Sequence, residues 1–453
     1  MKHRVHIAAL AAVVMSIVGL ASALHAQNAS SVEPLTLEAA IALALKDNRD
    51  VNAAAHSVAI ADEAIATARS RRLPSFEVSS LAGQSITETT VQFPAGAFGI
   101  YEGIGPVPSV DTEVTSPRQP VMVAQAMFTQ PISQLFRLNL NIKATTVGRD
   151  IEQERQRGTM QATAARVRKA YYGLLQIDAG IRAADAVLDA SRALDGVVGE
   201  RVVQRVALKG DGLQSQLRVA EAAQQRLTLV HSRAEREEQL NLLLGRDPRT
   251  PIVVVPVPIM DDSNVDLDAV TQAAIERRAD VRAGRLLVEQ TELEHRAIDA
   301  ARIPEVSVAM SYQSFFGSDL LPKNVASVGL LVKWEPWDWG RRDRESSQKA
   351  HEISQARLSL QQAEDTVRME VARALRDIQR ARGEVLIARA SQEVAQDHLR
   401  VTTERIKVAA ALPVDGLSAT TELAEAAARA QEALSGYWAA RAAYEQAIGE
   451  DVR

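Results

Sequence analysis

The chain has 453 residues, 46% of them hydrophobic and 24% charged, which excludes an intrinsically disordered polymer. A formal net charge of −5 excludes a strongly cationic nucleic-acid binder, and the lack of any cysteine excludes disulfides, thiolate metal centres, cysteine nucleophiles and a lipidated N-terminal cysteine. Aromatic residues make up only 4%, and alanine is abundant, which favours close-packed helices over a thick globular core.

Residues 1–26 read as an export signal. Lys2 and Arg4 form its positive start, residues 7–20 are mostly apolar, and small-residue cleavage sites follow at Ala21-Ser22-Ala23 or Leu24-His25-Ala26. The apolar run falls short of the roughly 20 residues that a spanning helix needs. No later stretch is apolar enough to span as a helix, so the mature chain is expected either in the periplasm or in a membrane as β-strands.

The mature chain opens with a helix expected over 37–72, capped by Thr36 and stopped by Pro74. Phe76, Val78 and Ser80 then alternate with Glu77, Ser79 and Leu81, and a returning strand is expected over 121–129. Strands of about ten alternating residues suit a tilted membrane barrel; the same period fits a soluble sheet. Between the two strands lie Pro94, Gly96, Gly99, Gly103, Gly105, Pro106, Pro108, Pro117 and Pro120, which predict a long exposed loop. Between Pro131 and Gly210 there is room for about 75 helical residues. Val167, Ala170, Leu174, Ile177, Ile181, Ala184 and Leu188 follow four-three steps there, a coiled-coil seam. A sharp reversal over 207–212 precedes a return helix, with Asp211 as its expected N-cap and Gln214 at the capping-box position.

The remaining chain repeats this order. Leu37, Ala39 and Val58 match Leu267, Ala269 and Val288 at a constant offset of 230, and Arg72-Leu73-Pro74 matches Arg302-Ile303-Pro304. Further on, Glu200-Arg201, Asp211-Gly212-Leu213 and Gly245 match Glu404-Arg405, Asp415-Gly416-Leu417 and Gly449 at an offset of 204. A length prior of about three globular domains therefore gives way to two copies of one unit of about 200 residues. The expected organisation is an export signal at 1–26, a first repeat at 27–250 and a second at 251–453. In the second repeat, Val306, Val308, Met310 and Tyr312 alternate with Ser307, Ala309, Ser311 and Gln313, and the partner strand is expected over 325–334 after a short loop near 317–323. Trp334, Trp337 and Trp339 cluster where that strand ends; an interfacial aromatic belt and plain helix–strand packing both fit. The seam recurs at Val367, Val371, Ala374, Ile378, Ala381, Val385, Ala388, Gln392, Ala395, Leu399, Thr402 and Ile406 and returns through Leu423, Ala427, Ala430 and Leu434. Asp415 is the expected cap of this second return helix.

Two hairpins give four strands per chain, and four strands cannot close a barrel in lipid. Several copies must share one barrel, and three would make twelve strands above a ring of helices: a tube. At this point the chain resembles the TolC-like outer-membrane efflux proteins. The resemblance rests on Leu35-Thr36-Leu37-Glu38-Ala39-Ala40, Leu73-Pro74-Ser75, Gln130-Pro131-Ile132-Ser133-Gln134-Leu135, Glu335-Pro336-Trp337-Asp338-Trp339-Gly340-Arg341-Arg342 and Ala447-Ile448-Gly449-Glu450, in that order over about 35–450. It implies a mainly α fold with membrane β-strands, a long helical coiled-coil barrel and a homotrimeric twelve-stranded β-barrel. It also implies an outer-membrane position with a long periplasmic extension in a Gram-negative bacterium. The implied role is passive conduction of substrates handed over by an inner-membrane pump through a periplasmic adaptor. An exit duct for type I protein secretion is a second reading, and a soluble periplasmic coiled-coil scaffold a third. The family's helix-turn tips resemble 201–213 and 405–417, which nominates Arg201, Leu208, Asp211, Arg405, Leu412 and Asp415 for adaptor contact. Ala207 and Ala411 stand where relatives carry a tip glycine. No enzyme motif is present, His351-Glu352 lacks the second histidine of a zinc-protease helix, and neither a metal nor a cofactor nor a nucleic acid is expected.

Overall fold

The computed structural model describes residues 34–258, 265–317, 322–408 and 410–450; the expected export signal and positions 318–321 of the short second loop lie outside them. The first repeat runs α1 (Leu37–Asp47), α2 (Arg49–Ser70), β1 (Ser75–Gln84), β2 (Thr89–Phe93), β3 (Ile100–Tyr101), β4 (Gly105–Pro106), β5 (Thr112–Ser116), β6 (Pro120–Pro131), α3 (Leu135–Val203) and α4 (Lys209–Leu243). The second runs α5 (Leu267–Arg277), α6 (Ala279–Ala300), β7 (Glu305–Phe316), β8 (Asn324–Lys333), α7 (Arg341–Lys407) and α8 (Pro413–Ala447). Both offsets recur in the element boundaries, since α5, α6 and β7 start 230 residues after α1, α2 and β1, and α8 starts 204 after α4.

Two expectations need correction. The helix expected over 37–72 is two helices. Thr36 caps the first, its Oγ1 accepting from Ala39 N at 3.1 Å, but Asn48 interrupts the run with extended backbone at φ −69° and ψ 133°. Its side chain accepts from Asp50 N at 2.9 Å and donates to the Leu243 carbonyl at 3.0 Å, so the break is held by a distant helix end. Arg278 makes the equivalent break between α5 and α6, at φ −65° and ψ 131°, tied to Asp280 and Glu370. The Gly- and Pro-rich connection is exposed, as expected, but it is not a plain loop. β2 pairs with β5 and β3 with β4 as a folded β-finger, closed by Phe93 and Phe98 at 5.1 Å between ring centres.

The chain forms two compact units, each drawing on both repeats. One holds the described residues to Ala55, Glu154–Arg282 and those from Gln362 onward. Its core is the expected seam: Val367, Val371, Ala374, Ile378, Ala381, Val385, Ala395, Leu399 and Ile406 are all buried, with Val167, Leu174, Ile177 and Leu188 from the first repeat. Ala388 and Gln392 are only half-buried. The segment joining the repeats is pinned here by a parallel bridge between Leu35 and Val254 and by the Tyr171 hydroxyl, which accepts from Val255 N at 2.9 Å. The other unit, His56–Gln153 with Ala283–Gln361, carries the main sheet and a small helical core of Leu140, Ala144, Val147, Leu293 and Ala297.

Two matched glycines end the return helices in the left-handed region, Gly245 at φ 71° and Gly449 at φ 62°. A Cβ on Gly245 would lie 2.8 Å from the backbone oxygen of Asp47, whereas the nearest atom to one on Gly449 is the side-chain Cγ of Arg278, also at 2.8 Å. Both alanine substitutions incur the conformational penalty of about 1 kcal/mol. Gly245→Ala is expected to lower the melting temperature distinctly more than Gly449→Ala, because backbone cannot move aside. Equal shifts would show that the Asp47 contact is unimportant.

Candidate functional site

The four long strands form one antiparallel sheet in the order β1-β6-β7-β8. Because side chains alternate, the register decides which residues share a face. Phe76 opposes Phe128, which opposes Met310, which opposes Val328. Val78, Ala126, Tyr312 and Ala326 form the next row of the same face, and Val308 with Leu330 and Val306 with Val332 extend it. This face is apolar and open: Phe76 is 70% exposed, Val328 71% and Leu330 70%. The opposite face carries Glu77, Ser79, Gln125, Ser311, Gln313, Ser327 and Lys333 among its residues, with Ser311 and Ser327 hydroxyls 2.8 Å apart. A continuous apolar face of this size on a sheet marks contact with lipid or protein, and a partly polar reverse face suits a wet lumen. Strands β1 and β8 each have one edge without a partner among the described residues. Among those residues no helix is long and apolar enough to cross a membrane.

The ends of the sheet are built by the motifs that carried the resemblance. Ser133 Oγ donates to the Pro304 carbonyl and accepts from Val306 N, both at 2.7 Å, while Gln130 donates to the Arg72 carbonyl at 3.1 Å. After β8, the Glu335 carboxylate receives Arg341 at 2.8 Å and Arg342 at 3.3 Å, and Asp338 caps α7 by accepting from Gly340 N and Arg342 N. This turn leaves Trp334, Trp337 and Trp339 outside, at 62%, 71% and 90% exposure, with the last two rings edge-to-face at 5.8 Å. Trp339 has φ 56°, a left-handed conformation rare for so bulky a residue, so the turn holds its indole outward under backbone strain.

At the hairpin tips the structure corrects the expected caps. The N-cap residues of α4 and α8 are Leu208 and Leu412, and Asp211 and Asp415 stand at N3. Each carboxylate reaches back to accept from the N-cap backbone, Leu208 N at 3.0 Å and Leu412 N at 2.9 Å, so Gln214 is not the box residue. Leucine offers no acceptor in return, which makes each motif half of a capping box. Leu208 and Leu412 point to solvent, 74% and 65% exposed. Arg201 caps the far end of the neighbouring helix, donating to the Ile406 carbonyl at 2.9 Å and to that of Lys407. Arg405 is exposed. Among the described residues no cluster of three or more His, Cys, Asp or Glu could hold a metal.

A sequence profile described as outer membrane efflux protein matches residues 40–246 and 270–450, most of the chain and once per repeat. The chain belongs to this outer membrane efflux family. No curated protein matches the sequence significantly. Among solved structures, CusC, studied for folding and transmembrane channel formation, aligns over 92% of this chain and 93% of its own at 15% identity and a TM-score of 0.74. The outer membrane protein VceC of Vibrio cholerae aligns over 92% and 97% at 15% identity and 0.72. The CmeC outer membrane channel of Campylobacter jejuni aligns over 91% and 85% at 14% identity and 0.72. At such identities the likeness establishes the fold: a β-hairpin and a long helical hairpin in each of two repeats. The efflux protein is thus an outer-membrane channel-family protein and not an enzyme.

Sequence reasoning missed the fourth tryptophan of the efflux protein. Trp438 is buried and stacks on Tyr172 at 4.6 Å, with Arg441 over both rings. It lies one position off the four-three steps, and its large ring in an alanine-rich helix was the available signal. The tips allow a direct test of the caps. Asp211→Ala and Asp415→Ala are each expected to cost about 1 kcal/mol of hairpin stability, the usual worth of a helix-start hydrogen bond. Thermal denaturation followed by circular dichroism reads this; shifts of several times that size would show that the carboxylates hold more than their own helix.

Proposed function

We propose that the efflux protein assembles as a homotrimer in which three four-stranded sheets close a twelve-stranded barrel, and that it forms the passive exit duct of a tripartite efflux system. The reading rests on one observation: a four-stranded sheet with one open apolar face, one partly polar face and two unpaired edges. Lipid does not tolerate open edges, so further copies must pair with β1 and β8. Trp334, Trp337 and Trp339 then serve as the interfacial belt, their exposure and strain being wasteful in a packing role. The exposed leucines of the tips, Leu208 and Leu412, with the Asp-closed turns behind them, are offered to a periplasmic adaptor that couples an inner-membrane pump. Export uses the segment 1–26, and the two repeats divide at about residue 250. A soluble periplasmic scaffold has no use for the apolar sheet face.

The test is fractionation of cells expressing the chain, followed by gels of unboiled samples and planar-bilayer recording. A heat-resistant oligomer of three chains in the outer-membrane fraction, with stepwise conductance, is expected. A monomer in the soluble periplasmic fraction sinks the reading.

A further inference from the structure

At the base of the sheet the reverse face is hollowed into a cavity of about 430 Å³, a size that suits a small molecule. It lies wholly within the unit that carries the sheet. Every strand residue in its wall belongs to the partly polar face that suits a wet lumen: Ser75 and Thr129 face each other in one row, Ser307 and Leu331 in the next, Glu305 and Lys333 in the last. The chain just after α2 and just before α3 closes it with Arg71, Leu73 and Gln134.

Four polar groups of this wall are unspent. Glu305 stands directly opposite Lys333, but its carboxylate is taken by Arg137 at 2.6 Å. The Lys333 ammonium therefore has no ion-pair partner among the described residues, and neither has the exposed Arg71. Ser307 is only 6% exposed; it accepts from Gln134 Nε2 at 3.3 Å, and its own hydroxyl proton meets no acceptor among those residues. Gln134 Oε1 is buried without a donor. Buried polar groups of this kind are costly unless something from solution pairs with them. Nor does the fold demand the two cations. The repeat puts Ala301 where the first copy has Arg71, and Thr129 where the second has Lys333.

We propose that this cavity is a resting site for organic anions on the wall of the duct, taking amphiphiles in which a carboxylate or sulfonate stands beside an N–H or O–H donor. The anion meets Lys333, Arg71 and the Ser307 hydroxyl, the neighbouring donor meets Gln134 Oε1, and the apolar body lies on Leu73 and Leu331. The one carboxylate in the wall is already neutralised by Arg137, so the lining favours negative charge. The inference takes its meaning from the duct reading above and adds a cargo class to it. A site within a duct must hold its ligand loosely enough to release it, and shallow cover with exposed cations provides that.

The probe is dansylglycine, which carries a carboxylate, an adjacent sulfonamide N–H and an apolar ring. Its binding to the purified full chain is measured by equilibrium dialysis, with the same detergent on both sides. Saturable binding of one probe per chain is expected. Lys333→Gln and Arg71→Gln are each expected to weaken it about tenfold, the worth of one hydrogen bond to a charged group. Arg118→Gln, an equal loss of charge before β6, is expected to leave it unchanged. Both cations of the site are exposed, so their variants keep the fold, which melting followed by circular dichroism checks. Dansylglycinamide lacks the anion and is expected to bind as weakly as the variants do. Dansylsarcosine lacks only the N–H, and equal affinity for it overturns the part given to Gln134. An equal loss in Arg118→Gln, or equal affinity for the amide, overturns the site. Native mass is measured alongside. A trimer without saturable binding shows that the cavity holds only water and leaves the duct reading standing; a monomer that binds the probe overturns the duct and keeps the anion site.

Discussion

Val328→Arg is expected to remove about 2–4 kcal/mol of membrane folding free energy per chain, while Ser327→Arg, one residue away, removes about 1 kcal/mol or less. Val328 lies mid-strand on β8, in the row with Met310, Phe128 and Phe76, and is 71% exposed on the apolar face. A guanidinium there must leave water for hydrocarbon with no charged partner in the register, since Met310 lies opposite and Val308 and Tyr312 flank it. Ser327 points the other way, its hydroxyl 2.8 Å from that of Ser311, on the face that also carries Gln313 and Glu77, and an arginine in its place stays wet. In the proposed trimer each assembly bears the cost three times. Urea titration of folding into lipid vesicles measures both variants. Equal costs, or a larger one for Ser327→Arg, would mean that the apolar face does not meet lipid.

The parts of this fold that were legible are those in which a local pattern repeats a physical constraint. Alternation of Val306, Val308, Met310 and Tyr312 with smaller or polar residues is what a two-faced strand requires, and β7 spans that run. The four-three steps from Val367 to Ile406 mark the buried stripe of α7 because a long helix wall buries one narrow face. Pro74 and Pro304 stand just before strands β1 and β7, as the lost N–H and fixed φ demand. What was not legible depends on partners distant in sequence. Asn48 caps α2 by accepting from Asp50 N, a local signal that a continuous-helix reading overrides, while the bond that anchors the break to the Leu243 carbonyl depends on a partner 195 residues away. A leucine N-cap carries no signal, so the sequence points to the aspartate, which stands three positions inside the helix. Arg201 and Arg405 each follow a glutamate and stand six residues before an Ala-Leu pair, yet one caps a neighbouring helix and the other is exposed. The shared Glu-Arg pair does not separate them, because Arg201 meets the end of a neighbouring helix.

Glu445→Ala is expected to destabilise the helical unit by about 3–5 kcal/mol, the penalty for leaving buried charge uncompensated. The Glu445 side chain is 12% exposed and holds two arginines, Arg441 at 2.9 Å and Arg168 at 3.5 Å, whose own side chains are 14% and 9% exposed. It also accepts from the Tyr172 hydroxyl at 3.1 Å, and Tyr172 stacks on Trp438. Removing the carboxylate leaves Arg168 with Glu450 at 2.7 Å, but Arg441 keeps only the Pro258 carbonyl and the two ring faces. The loss therefore falls chiefly on Arg441, and Arg441→Met in the Glu445→Ala background is expected to recover part of it by replacing a stranded charge with an apolar chain. Burial, and then the Glu445 charge, raise the pKa of Tyr172 above its ordinary value. The phenol is thus protonated in the folded chain, and stability is expected to hold below about pH 10 and to fall as pH rises beyond it. Melting followed at the helical band should drop by on the order of 10 °C for Glu445→Ala, and Tyr172→Phe should flatten the alkaline decline. A Glu445→Ala shift of under about 2 °C, or no recovery in the double variant, would show that water already reaches these arginines and that the cluster is stacked aromatic packing with incidental charge.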